Sequence, residues 1–180
     1  MQGRVTVKGE EEFMRNLAEA MQFVEQNLPD IVGIEGINHF RESFENEGFT
    51  NDSLEKWASR KTKRLSRNEQ KVLSDTGELS DSIEYKIEGR SIIFYTDKLY
   101  AQVHNEGGTI TVSDKQRAYF WAKHKEADDA GVDDIAEQWK GMALAKTLVI
   151  EKRQFIGDSV QLFLKIDEKV IRELDRIFKS

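Results

Sequence analysis

The order of hydrophobic periodicities predicts an α+β fold: an N-terminal helical hairpin, a small antiparallel sheet of three to five strands, and a long C-terminal helix. Three observations carry this. Apolar residues recur every three or four positions through residues 10–47, the spacing shifts to two near Ile83, and helical spacing returns after Gly157. Strands that cluster between helices, without βαβ alternation, belong to an antiparallel sheet.

In the first helix, residues 10–28, Phe13, Leu17, Met21, Val24 and Leu28 draw one apolar stripe, and Glu10, Glu11 and Glu12 complement the dipole of its first turn. Pro29 is expected to stop this helix and open the next, giving a hairpin or one kinked rod. The second helix carries Ile31, Ile34, Ile37, Phe40 and Phe44 inward and is expected to end at a left-handed Gly48, with Gly33 and Gly36 each weakening it by about 1 kcal/mol relative to alanine. Residues 49–72 read as a mobile loop in which Trp57 is isolated among polar side chains. Asp75-Thr76-Gly77-Glu78 has the spacing of a helix start, with Leu79 and Ile83 on the inner side.

Ile83, Tyr85 and Ile87 alternate with Glu84, Lys86 and Glu88; Gly89-Arg90 then turns the chain into Ile92-Ile93-Phe94-Tyr95, a β-hairpin signal. Tyr100–His104 is expected as a third strand ending at Gly107-Gly108, and Thr109–Val112 as a further β-prone piece. Asp114 is expected to cap a helix holding Ala118, Phe120, Trp121 and Ala122 that ends in the acidic stretch 125–134. Leu144–Ile150 reads as a strand. Asp158 or Ser159 caps the last helix, whose stripe is Val160, Phe163, Leu164, Val170, Ile171, Leu174, Ile177 and Phe178.

The chain has 180 residues, of which 38% are apolar, enough for one domain with its own core. It contains no cysteine, which removes disulfides, thiolate nucleophiles and cysteine zinc sites. No apolar run approaches the ~20 residues that cross a bilayer, and the charged start lacks the apolar stretch of a secretory signal. The formal charge of −6 argues against a protein that coats nucleic acid.

No catalytic, metal or cofactor constellation stands out. His39, His104 and His124 are far apart and lie in no metal-binding spacing, so they read as packed or surface histidines; His104, next to Asn105-Glu106-Gly107-Gly108, is expected to hold a turn by hydrogen bonds to nearby backbone. Asp128, Asp129, Asp133, Asp134 and Glu137 have Gly131 in the wrong place for a calcium loop. Gly107-Gly108 lacks the lysine of a phosphate loop, and no serine sits in a nucleophile elbow. The expectation is therefore no enzyme and no cofactor. Lys56, Arg60, Lys61, Lys63, Arg64, Arg67 and Lys71 surround Trp57 with only Glu69 opposing them. A solvated loop whose tryptophan tucks into the body is the preferred reading, and a phosphate-gripping, base-stacking loop at 56–71 is the alternative.

Several ordered segments resemble the phage virion morphogenesis (tail completion) family of Mu gpG-like proteins. They are Phe40-x-x-x-Phe44; Trp57; Val72-Leu73-x-x-Thr76-Gly77-x-Leu79-x-x-Ser82-Ile83; Tyr100-Ala101-x-x-His104-Asn105-x-Gly107-Gly108; and Arg153-Gln154-Phe155-Ile156-Gly157 ahead of the last helix. The resemblance spans the chain from about residue 40 onward. Two departures stand out: Ile150-Glu151-Lys152-Arg153 lacks the family's proline, and about 113–145 is an elaboration.

The resemblance implies a non-enzymatic structural role, in the virion or in the host cytoplasm during assembly. Partners would be other head, neck or tail proteins, with a homo-oligomeric ring as a further expectation, and neither membrane nor nucleic acid. Thr76, Gly77, Leu79, Tyr100, His104, Gly107, Gly108, Arg153, Phe155 and Gly157 are expected to determine the fold. Trp57, Arg60, Lys61, Lys63, Arg64, Phe120 and Trp121 are the candidate partner contacts, on the basic loop and the elaboration.

Overall fold

The structure, a computed structural model, describes residues 9–60 and 71–179. Its class is α+β, with a long N-terminal helix, small antiparallel pairs of strands and a long C-terminal helix.

The N-terminal segments do not fold back as a hairpin. Helix α1 (Glu10–Gln22), a π-helical segment (Phe23–Asn27) and α2 (Leu28–Asn46) follow one another without a break. Pro29 is tolerated because it is the second residue of α2, where a missing N–H costs little. The wide turn before it takes up the mismatch, with the Leu28 N–H reaching back five residues to the Phe23 carbonyl. At the far end the left-handed residue is Glu47, at φ 47°, and not Gly48. Gly48 is needed for another reason: a Cβ there would meet the Glu55 carbonyl at 2.6 Å.

That close approach belongs to a hairpin, β1 (Gly48–Thr50) with β2 (Leu54–Lys56), where the sequence suggested only a loop. After α3 (Glu78–Asp81), the second hairpin pairs β3 (Glu84–Glu88) with β4 (Ser91–Tyr95) from Glu84↔Tyr95 to Glu88↔Ser91. Tyr100–His104 is not a strand: α4 (Ala101–Glu106) occupies this stretch and buries Ala101. A five-residue stretch is too short to separate the two periods. The third pair joins β5 (Gly108–Thr111) to β6 (Thr147–Ile150). So the described strands form three separate two-stranded pairs instead of one sheet.

Between β5 and β6 stands a helical hairpin, α5 (Asp114–Asp129) and α6 (Asp133–Leu144). Its cap is Ser113, one residue before the expected Asp114, in a reciprocal box with Gln116. Helix α5 runs on to Asp129, Gly131 turns the chain at φ 69°, and α6 was not foreseen at all. The hairpin has small apolar centres of its own: Val112, Phe120 and Ala143 in one, Ala127, Ile135 and Ala136 in the other.

Helix α7 (Val160–Lys179) starts behind Ser159, whose Oγ accepts the Leu162 N–H at 3.1 Å. It packs against α1 and α2 through Leu162, Ile166 and Ile177, with Val170 and Leu174 half-buried. Lys165–Glu42 (3.1 Å) and Lys169–Glu35 (2.5 Å) fix its direction against α2 as antiparallel. The main core gathers Phe40, Phe44, Phe49, Leu79, Ile83, Ala101, Phe155, Leu162 and Ile166. Among the described residues no helix is long and apolar enough to cross a membrane.

Candidate functional site

Some of the residues singled out from sequence, Trp57, His104, Gly107, Arg153, Phe155 and Gly157, meet where α4, the chain before α7 and the β1–β2 hairpin converge. Asn105, at the end of α4, holds the strand-like segment 153–157 with both ends of its side chain. Its Oδ1 accepts the Phe155 N–H at 2.8 Å and the Ile156 N–H at 3.0 Å, and its Nδ2 donates to the Ile156 carbonyl at 3.1 Å. One residue earlier, the His104 carbonyl accepts the Arg153 N–H at 2.7 Å. Backbone groups that no strand partner satisfies are thus paired by one amide side chain and one helix-end carbonyl.

Trp57 closes the other side. Its indole N–H donates to the Gln154 carbonyl at 2.8 Å, and its ring stands edge-on to Phe44 at 5.5 Å. Phe44 in turn packs on Phe155, which is 1% exposed, at 5.1 Å. The Arg153 guanidinium reaches the Ala58 carbonyl at 3.1 Å. Gly107, at φ 75°, allows close passage of Lys152: a Cβ there would stand 3.0 Å from the Lys152 nitrogen. Beside Gly157 a Cβ would strike the Gln154 amide. Ser159 Oγ donates to the Thr50 carbonyl at 2.8 Å, and that carbonyl also accepts the His39 Nε2–H at 2.9 Å. Segments from about fifty to more than a hundred residues apart are tied into one junction by directional bonds.

Thr76 Oγ1 accepts the Glu78 N–H at 3.3 Å, Gly77 takes φ 77°, and Leu79 is buried in the main core. Tyr100 is partly exposed and stands edge-on to His104 at 6.0 Å. The His104 ring does not make the turn-holding bonds expected of it: its Nδ1 finds no partner among the described residues, and its backbone carbonyl bonds the distant Arg153 N–H instead. Gly108 is at φ 158° and is the first residue of β5.

The candidate contacts divide differently. Trp57 is half-buried in the junction. Arg60 is half-buried and donates to the Lys71 carbonyl at 3.0 Å. Lys61, Lys63 and Arg64, with Arg67, lie outside the described residues. Both described ends of the basic stretch are anchored: Lys56 and Lys71 donate to the Asn46 and Glu45 carbonyls, cations at the negative end of α2. The Val72 N–H adds a bond to the Glu47 carboxylate at 2.6 Å. Phe120 is buried and stacked on Trp139, whereas Trp121 is 40% exposed beside His124. The residues that composition alone did not reveal are Asn105 and Gln154, whose polar groups are spent on backbone and on the Trp57 indole.

His124 Nδ1 donates to the Ala136 carbonyl at 3.0 Å and ties α5 to α6. Among the described residues no group of three or more His, Asp or Glu side chains is placed to hold a metal ion. A cleft beside the junction is lined by Val72, Leu73, Leu79 and Leu148 with Arg60, Asp75, Glu151 and Arg153 on its charged walls.

Burial holds the His39 and His104 imidazoles below their ordinary value. For His39 the Thr50 bond and Glu42 oppose burial while Lys165 adds to it, and for His104 the Arg153 guanidinium adds to it. The unfolded chain takes up protons near pH ~6.5 while the folded chain still resists them, so stability is full above that range and falls as pH drops through it. The midpoint of thermal unfolding is expected to fall between about pH 7 and about pH 5, and the fall to shrink in the double variant His39→Gln/His104→Gln. An equal fall in that variant would assign the acid sensitivity to other groups.

No curated protein and no solved structure gives a significant match to the chain. A model of the phage virion morphogenesis family matches residues 39–175, a span that contains α4, the 153–157 segment, Trp57 and most of α7. The chain belongs to the phage virion morphogenesis family.

Proposed function

We propose that this protein is a non-enzymatic assembly factor that acts in tail completion or head–tail joining through protein–protein contacts. Membership of a phage morphogenesis family supports a structural or assembly role in the virion, and the more specific step is our reading. The observation that carries it is the junction. Asn105 pairs with the Phe155 backbone, Arg153 with the Ala58 carbonyl, Gly107 and Gly157 are closed in by Lys152 and the Gln154 amide, and Phe155 lies in the core, which suits residues that shape a rigid body.

On this reading Thr76, Gly77, Leu79, Tyr100, His104 and Gly108 serve the same body. The contact surfaces are the basic stretch 56–71 and the α5–α6 hairpin, on which Tyr119 and Trp121 are exposed. Partners are other head, neck or tail proteins, and a ring of copies would match the symmetry of that part of the particle. The protein works without a cofactor, in the virion or in the host cytoplasm during assembly.

Deletion of residues 60–67 is expected to leave the fold intact and to abolish formation of infectious particles in a complementation assay. Normal particle yield from the deletion would remove the stretch from the contact surface. The nucleic-acid alternative is disfavoured by the engagement of Lys56, Arg60 and Lys71 with backbone carbonyls. A salt titration showing no DNA affinity at low salt would dispose of it.

A further inference from the structure

The clearest apolar stripe of α1 faces away from the protein. Its inner side carries the buried Asn16 and Ala20, and Ala20 with Phe23 of the π-helical segment clusters on Ile177 of α7. The stripe itself remains open: Phe13 is 55% exposed, Met14 56%, Leu17 37%, Met21 58% and Val24 47%. Helix α7 repeats the pattern, with Leu164, Ile171 and Phe178 exposed seven residues apart. The two open faces join where the Phe13 and Phe178 rings meet at 6.3 Å. On the other flank of the α1–α7 seam the contact is polar, Arg176 with Glu19 at 3.4 Å.

Without Leu164, which lies at the far end of α7, the seven half-exposed apolar side chains of this face offer on the order of 700 Å², more than the roughly 300–600 Å² of the largest patch on a typical monomer. That is close to the ~800 Å² each partner contributes to a standard interface. The spacing narrows the occupant. Met14, Leu17, Met21 and Val24 follow steps of three, four and three, the alternation that lets two helices interdigitate. The series reads the same in both directions. An identical helix laid antiparallel therefore sets Met14 against Val24 and Leu17 against Met21, with the small Ala18 beside the axis. All of α1 lies before the family match at residues 39–175, whereas Ile171 lies within it.

We infer that the exposed face of α1, continued by Phe178 and Ile171, is a self-association surface that docks a second copy of this chain through antiparallel α1 helices. The surface follows from side-chain placement alone and does not depend on the assembly step the protein serves.

Sedimentation velocity over a concentration series of the full chain tests it. The wild type is expected to move from monomer to dimer in the micromolar range. Leu17→Glu and Met21→Glu, at exposed positions that leave the fold intact by circular dichroism, are each expected to raise the dissociation constant by about tenfold or more. Because the chain has no cysteine, Ala18→Cys is expected to cross-link into a dimer on oxidation, and Gln26→Cys, on the polar side, is not. A wild type that stays monomeric at high concentration overturns the inference, even if it then sediments with lipid vesicles or with another virion protein. So does a Leu17→Glu chain that dimerises as the wild type does, or equal cross-linking from both cysteines. A monomeric wild type that still complements particle assembly would leave the proposed function standing.

Discussion

Asn105→Ala is expected to destabilise the fold by about 2–4 kcal/mol, because it strands two partly buried N–H groups and one carbonyl that no neighbour replaces. The wild-type amide satisfies the Phe155 and Ile156 N–H groups and the Ile156 carbonyl at 2.8–3.1 Å. The loss extends beyond hydrogen bonds. Those contacts hold Phe155, which is 1% exposed, against Phe44, and Phe44 against Trp57. Asn105→Asp keeps the acceptor for the two N–H groups but turns a second oxygen toward the Ile156 carbonyl, so it should recover only part of the stability. Urea denaturation with a common slope measures both. An Asn105→Ala midpoint equal to the wild type would mean that the segment is held by other contacts.

Gly36 gives the second large effect, and here the sign is the informative quantity. Helix propensity alone would make Gly36→Ala stabilising by about 1 kcal/mol. A Cβ at this position, however, would overlap the Phe94 ring, which stands edge-on to the buried Phe40 at 5.0 Å and has little room to yield. At Gly33, three residues earlier, the Tyr85 ring lies in the same way, with its hydroxyl donating to Asp30 at 3.0 Å. The two glycines form a notch on α2 in which the β3–β4 hairpin rests. Gly36→Ala is therefore expected to destabilise, and Gly36→Val to cost about 2–3 kcal/mol, as overpacked cores do. Calorimetric unfolding of both variants checks this, and a stabilised Gly36→Ala would show that the hairpin can lift off α2 without loss.

These residues also show what a sequence makes legible. The change of period at Ile83 located the β3–β4 hairpin, because a half-buried pair of strands leaves an alternating imprint. The existence of α7 was likewise visible, with Ser159 as one of two candidate caps. The buried side of α7 was not. Leu162 and Ile166 are buried, while Phe163, Leu164 and Ile171 are exposed, since a helix with apolar residues around much of its circumference does not declare which flank meets the body. The same ambiguity in α1 concealed an outward stripe.

Helix α4 was hidden because Tyr100–His104 is too short to show a period, and the bonds that Asn105 and the His104 carbonyl make reach a segment about fifty residues away. Gly33 and Gly36 looked like local weaknesses, and only the overlying rings reveal their use. The ordered motif residues were legible as a set through the family resemblance. Their meeting point was not, because hydrogen bonds that span fifty or a hundred residues leave no periodic trace.

Native-state hydrogen exchange at the Arg153, Phe155 and Ile156 amides bears most directly on the claim that the motif segments lock together as one rigid body. If they do, these three amides, which belong to no strand ladder, should exchange only by global opening, with the same free energy as the slowest amides of α2 and α7. Exchange at the rate of an open loop while α2 and α7 stay protected would show that the segment fluctuates independently, and the junction would lose its place as the foundation of the fold.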